Sequence, residues 1–135
     1  MYVEAIKQAV VEALEEIKAS DITVLDVRQM TSLFDYMIIA SAGSTRQTKA
    51  LANNVQDKLR QIGARVLGVE GERTGEWVLV DLGDIVVHVM HPAVRSYYNL
   101  EELWGGKEVK LKRAAPPRRA ARTDRATPSR RVRRQ

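Results

Sequence analysis

The chain has no cysteine in its 135 residues. Disulfide stapling, thiolate zinc sites and cysteine nucleophiles are therefore excluded, and a reducing compartment is compatible with the composition. Histidine is scarce as well, with two residues, His88 and His91. Three apart on an extended segment, they point to opposite faces and cannot chelate one metal together. No run approaches the roughly 18 consecutive apolar residues of a membrane span. The N-terminus is acidic and amphipathic, where a secretory signal would begin basic and turn apolar. A soluble, cytoplasmic protein is the expectation.

Both signs of charge are present, but they are kept apart. From Lys107 to Gln135 there are 12 basic and 2 acidic residues, a net of +10, which leaves 10 basic and 15 acidic, a net of −5, for residues 1–106. The sequence pI of about 9.7 thus describes the tail. From Leu111 onward Ala, Arg and Pro dominate and apolar periodicity is lost, so this segment lacks the apolar surface to offset its ordering entropy and is expected to be disordered when free. Arginines along it, among them Arg118, Arg119, Arg122, Arg130, Arg131, Arg133 and Arg134, suit salt-dependent contact with phosphates. A solvated extension with no dedicated partner fits the charge pattern equally well.

What remains has room for one domain, not two. Val3, Ile6, Ala9, Val10, Ala13, Leu14 and Ile17 recur at helical spacing. Residues 22–27 and 36–40 read as strands rich in β-branched and apolar residues. Ser44, with Gln47 three positions on, predicts a capped helix from Thr45 to Ile62 with Leu51, Val55, Leu59 and Ile62 inward, and Gly63 fits the left-handed position after it. A third strand is expected over 64–69. Trp77–Val80 and Ile85–Met90 then flank Asp81-Leu82-Gly83-Asp84, in which Gly83-Asp84 can supply the positive φ of a tight hairpin. Both runs are nearly continuous in apolar residues, which predicts cover on both faces. The order α-β-β-α-β-β-β, with a short helical or irregular ending, implies a mixed α/β sheet of five strands with helices packed on it.

Residue chemistry points away from catalysis. Gly43-Ser44, between a strand and a helix, could cradle a phosphate, yet ordinary capping accounts for it. A phosphate-transfer enzyme needs paired carboxylates for magnesium near that junction. The next acidic residue is Asp57, well inside the helix, and Asp81 and Asp84 suit turn chemistry. No nucleophile-base arrangement or Walker loop occurs, so the chain reads as a binding module. The candidate binding cluster is Trp77, Tyr97, Tyr98, Leu100, Leu103 and Trp104, since Trp and Tyr bury large areas at low entropy cost. These side chains serve equally well to close the open side of the sheet.

Several stretches resemble the ribosomal silencing factor family, also called Iojap-like proteins. They are Leu25-Asp26-Val27, residues 35–41, Gly68-Val69-Glu70-Gly71, Trp77 to Met90, and Arg95-Ser96-Tyr97-Tyr98-Asn99-Leu100-Glu101-Glu102-Leu103-Trp104. The likeness divides the chain into a domain over 1–108 and a basic tail over 109–135. It implies a nucleotidyltransferase-like α/β fold without the catalytic carboxylates, with no catalysis and no cofactor. It implies binding to ribosomal protein L14 of the large subunit, so that the small subunit is blocked sterically and translation is repressed when nutrients are scarce. Contacts would come from Trp77, Leu79, Asp81, Met90, Tyr98, Leu100, Glu101, Leu103 and Trp104, with possible ribosomal RNA contact by the tail. Free members of the family are expected to pair as homodimers. Two other classes predict different behaviour. An active nucleotidyltransferase would bind nucleotide and magnesium at Gly43-Ser44, and a nucleic-acid-binding module would act through the tail alone.

Overall fold

A computed structural model of the protein describes residues 3–104 and 107–109. Apart from Val109, the tail, with all its arginines, lies outside the described residues. Two amphipathic helices set one side of the molecule. The first, α1 (Val3–Glu16), buries Ala9, Val10, Val11, Ala13 and Leu14. The second, α2 (Thr45–Gln61), buries Thr48, Leu51, Ala52, Val55, Gln56 and Leu59. Each large aliphatic side chain taken out of water contributes roughly 1.5–3 kcal/mol, so these stripes hold the helices to the sheet.

The strands are β1 (Ser20–Asp26), β2 (Tyr36–Ser41), β3 (Gly68–Glu70), β4 (Trp77–Asp81), β5 (Ile85–Met90) and β6 (Lys107–Glu108). They form one mixed sheet in the order β3-β4-β5-β2-β1-β6. Only β2 and β5 pair in parallel, from Tyr36↔Ile85 to Ser41↔Met90, and the other pairs are antiparallel. Residues 42–84 make the crossover that a parallel pair requires.

The expected mixed α/β architecture is present, with three local differences. The short β6 adds a sixth strand at the edge of β1, where Val109 N also donates to Val24 O. The third strand is only Gly68–Glu70, because the preceding residues turn back onto the end of α2, where Ala64 N donates to Leu59 O. In the hairpin turn Gly83 alone takes a positive φ, 90°, and the Asp81 carboxylate accepts from Gly83 N at 2.9 Å.

The sheet has two unlike faces. Val24, Tyr36, Ile38, Ala40, Val78, Val80, Ile85, Val87 and Val89 pack against α1 and α2 in the main core. On the opposite face a smaller core of Leu25, Val27, Met37, Ile39, Met90 and Leu100 lies against Phe34, Trp77, Val94 and Trp104. This second cover comes from α3 (Pro92–Tyr98) and α4 (Leu100–Trp104). It reaches β1, β2 and the end of β5, but leaves much of β4 open. The expected cover on both faces therefore holds for most of β5 and fails for β4, which alternates buried Val78 and Val80 with half-buried Trp77, Leu79 and Asp81.

Candidate docking surface

The open part of the second face is bounded by α3 and α4 on one side and by the sheet edge β3 on the other. Across it the register places Glu70 beside Leu79 and Leu79 beside His88, then Gly68 beside Asp81 and Asp81 beside Val86. Leu79, Asp81 and Val86 are half-buried. Alternate residues of β4 present together because a strand repeats every two residues.

The helical boundary follows from the sequence after β5. Pro92 occupies the first turn of α3, where its missing N–H costs nothing. His91 is its N-cap, with Nδ1 accepting from Ala93 N at 3.2 Å. Asn99, at φ 48° and ψ 58°, is the left-handed residue that ends α3 and redirects the chain into α4. Its side-chain amide donates to the Glu102 carboxylate at 2.8 Å. This bend brings the Tyr98 ring against Trp77, with centroids 4.9 Å apart, and Trp104 against Phe34, at 5.4 Å. Tyr97 meets Tyr98 edge-on at 5.0 Å.

Arg95 holds α3 and α4 to the sheet. Its guanidinium donates to the Glu101 carboxylate through Nε and Nη2, to Asp21 O and Ser41 Oγ through Nη1, and to Thr23 Oγ1 through Nη2. The side chain is 11% exposed, so few of these donors could turn to water instead. Only guanidinium offers enough donors in a fixed fork for this many acceptors.

Nine residues were expected at this surface, and they divide by burial. Leu103 is 71% exposed and Tyr98 52%, while Trp77, Leu79, Asp81, Glu101 and Trp104 are half-buried. Met90 and Leu100 are 0% and 7% exposed. Those two lie beneath the surface and support it. The choice between core and interface for the aromatic cluster thus resolves residue by residue, with Leu100 as core and Tyr97, Tyr98 and Leu103 outward. Two supports of this surface are not evident from sequence. Arg95 stands within a family-like motif, and its position six residues before Glu101 is the one visible hint of the pairing. Phe34, next to Leu33 in the turn before β2, belongs to no periodic run that could identify its partner Trp104.

A sequence model of the family described as "ribosomal silencing factor during starvation" matches residues 2–135. The chain belongs to the ribosomal silencing factor family. It is 56% identical over 108 residues to a ribosomal silencing factor of Chromobacterium violaceum, covering 80% of this chain and 88% of that protein. A crystal structure of a Chromobacterium violaceum protein matches the fold with a TM-score of 0.77 and 52% identity, covering 87% of this chain and 98% of that one. More distantly, the mouse protein named "mitochondrial assembly of ribosomal large subunit protein 1" is 33% identical over 97 residues, covering 70% of this chain and 42% of the mouse protein.

In this silencing-factor domain the start of α2, the candidate phosphate cradle, is bonded to its own side chains. Ser44 Oγ accepts from Gln47 N at 3.0 Å, the first half of the expected capping box, while Gln47 Oε1 accepts from Gly43 N at 2.7 Å, one residue before the cap, instead of from Ser44 N. The Gln47 amide also donates to Ile17 O and Lys18 O, tying α2 to the end of α1. The loop after β3 packs close by: a methyl group on Gly75 would lie 3.1 Å from Thr45 O and 2.9 Å from Lys49 Cε. Among the described residues no group of three or more His, Asp or Glu side chains is placed to hold a metal ion, and no helix is long and apolar enough to cross a membrane.

Proposed function

We propose that the protein docks on ribosomal protein L14 of the large subunit through the face made by Trp77, Leu79, Tyr98, Leu103 and Trp104, with Asp81 and Glu101 beside them. Bound there, its domain of about 108 residues would obstruct the small subunit and lower translation during nutrient limitation, a cytoplasmic role that needs no chemistry. The observation that carries the reading is an apolar, aromatic surface that the fold leaves partly open although β4 and β5 are nearly continuous in apolar residues. Carboxylates rim that surface, since Glu70 and Glu102 are exposed and Asp81 is half-buried. An apolar centre with an acidic rim suits a basic partner, for which complementary charge raises association rate and selectivity. In the free protein the same face would serve for pairing of two copies.

The test is co-sedimentation with isolated large subunits. Leu103→Glu should reduce affinity by about thirtyfold, as loss of an interface anchor does, with the circular dichroism spectrum unchanged. Binding at full strength would defeat the reading. The tail, as domain partner over 109–135, is proposed to add phosphate contacts with ribosomal RNA. A chain ending at Lys110 should still bind, with a shallower dependence on salt. If that truncation alone abolishes binding, the arginine tail is the functional element instead.

A further inference from the structure

Trp77 on β4 is opposite Met90, and His88 on β5 is opposite Leu79. The two aromatic side chains are therefore diagonal neighbours on the open face, within reach of each other. The indole Nε1 donates to His88 Nδ1 at 2.9 Å, and the rings are 5.8 Å apart. His88 is 5% exposed, while Trp77 keeps part of its surface open. A neutral imidazole that accepts at Nδ1 carries its proton on Nε2. Charged groups on the same side are engaged elsewhere: Asp81 with Gly83 N, and Arg95 of α3 with Glu101 of α4. Glu70 of β3 lies beyond Leu79 and is exposed.

Burial alone does not account for a histidine here. An aliphatic side chain would fill the strand without desolvating a polar ring. What the imidazole adds is one acceptor, aimed at the only polar atom of the Trp77 ring. We propose that His88 is a positioning residue for the docking surface, its Nδ1 fixing the Trp77 indole in the orientation the partner meets. The inference rests on the docking reading above. With the indole held in the free protein, less side-chain freedom is lost on binding, and its N–H stays paired when the interface dries. His88 itself need not touch the partner.

The full-length chain tests this with His88→Leu, His88→Asn and Trp77→Phe. Two quantities are read: the shift and water exchange of the Trp77 indole N–H by NMR, and affinity for isolated large subunits by co-sedimentation. His88→Leu should leave the indole N–H unbonded and fast-exchanging and weaken binding roughly three- to tenfold. His88→Asn, whose Oδ1 can replace Nδ1, should recover much of both. Trp77→Phe keeps a ring but lacks the donor, and in that background His88→Leu should cost nothing further. Wild-type affinity in Trp77→Phe overturns the proposal even if His88→Leu does not fold, and so does an undiminished His88→Leu effect in the Trp77→Phe background. If Leu103→Glu leaves binding intact while His88→Leu still frees the indole N–H, the docking reading has failed, and the role assigned to His88 fails with it.

Discussion

Arg95 and His88 are polar side chains whose worth lies in what they hold. Removing Arg95 strands Glu101, Ser41 Oγ, Thr23 Oγ1 and Asp21 O at once. Glu101 is one-third exposed and can regain some water, which moderates the cost. Arg95→Met should destabilise the fold by about 2 kcal/mol, read as a lower urea midpoint, and should speed amide exchange in α3 and α4 more than in α1. Arg95→Lys should recover little, because an ammonium cannot reach acceptors spread over a fork. Uniform exchange across all helices would show that Arg95 does not hold this cover specifically.

His88 also sets a pH dependence whose sign follows from burial. Desolvation of the ring lowers its pKa from 6.5 to about 4. Above pH 6.5 folded and unfolded chains both carry it neutral, and the stability is fully present. As pH falls from 6.5 towards 4 the unfolded chain takes up the proton first, and stability drops by up to about 3 kcal/mol. Below pH 4 this loss levels off. Asp26 adds a further one lower down, since hydrogen bonds from the Arg28 side chain and backbone hold its pKa to about 2. His88→Leu should flatten denaturant midpoints between pH 6.5 and 4. An unchanged slope would place the titration elsewhere.

Between elements, connections demand particular backbone conformations, and two glycines allow a graded comparison. Gly71 has φ +88°, and a methyl group there would lie 2.0 Å from Trp77 O, inside the start of β4. Gly63, after α2, has φ +77° with nothing within 4 Å. Gly63→Ala should cost about 1 kcal/mol for the left-handed backbone alone. Gly71→Ala should cost clearly more and disturb Trp77, lowering ribosome affinity as well as the melting temperature. Equal losses at the two sites would refute the clash. The helices were legible because 3.6-residue periodicity depends on nearby residues, and Ser44 with Gln47 marked the start of α2 locally. The two-residue β6 was not legible, since it exists only because β1 offers an edge more than 80 residues away in sequence. β4 departs from the expected two-sided cover for a more instructive reason. Continuous apolarity reports that a strand wants cover, without saying whether this chain or another supplies it.

At the scale of the molecule, helices α1 and α2 pack on one face of the sheet, and α3 and α4 cover part of the other. The general location of the candidate site could be read from Trp77 to Trp104, but its depth could not. Only the fold shows that Met90 and Leu100 are foundations and that Phe34, from a distant turn, props Trp104. The Arg95 bonds to Asp21 and Thr23 join residues 74 and 72 positions apart, and the parallel pairing of β2 with β5 joins residues 49 apart, as in Tyr36↔Ile85. Contacts of such long range form late, after loop-closure entropy has been overcome. A protein that acts on ribosomes is also made by one. On the docking reading proposed above, the growing chain would complete α1, β1, β2 and α2 while still lacking a finished surface, because Tyr98, Leu103 and Trp104 come later in the chain. The nascent polypeptide would then be kept from engaging, through that face, the particle that is translating it.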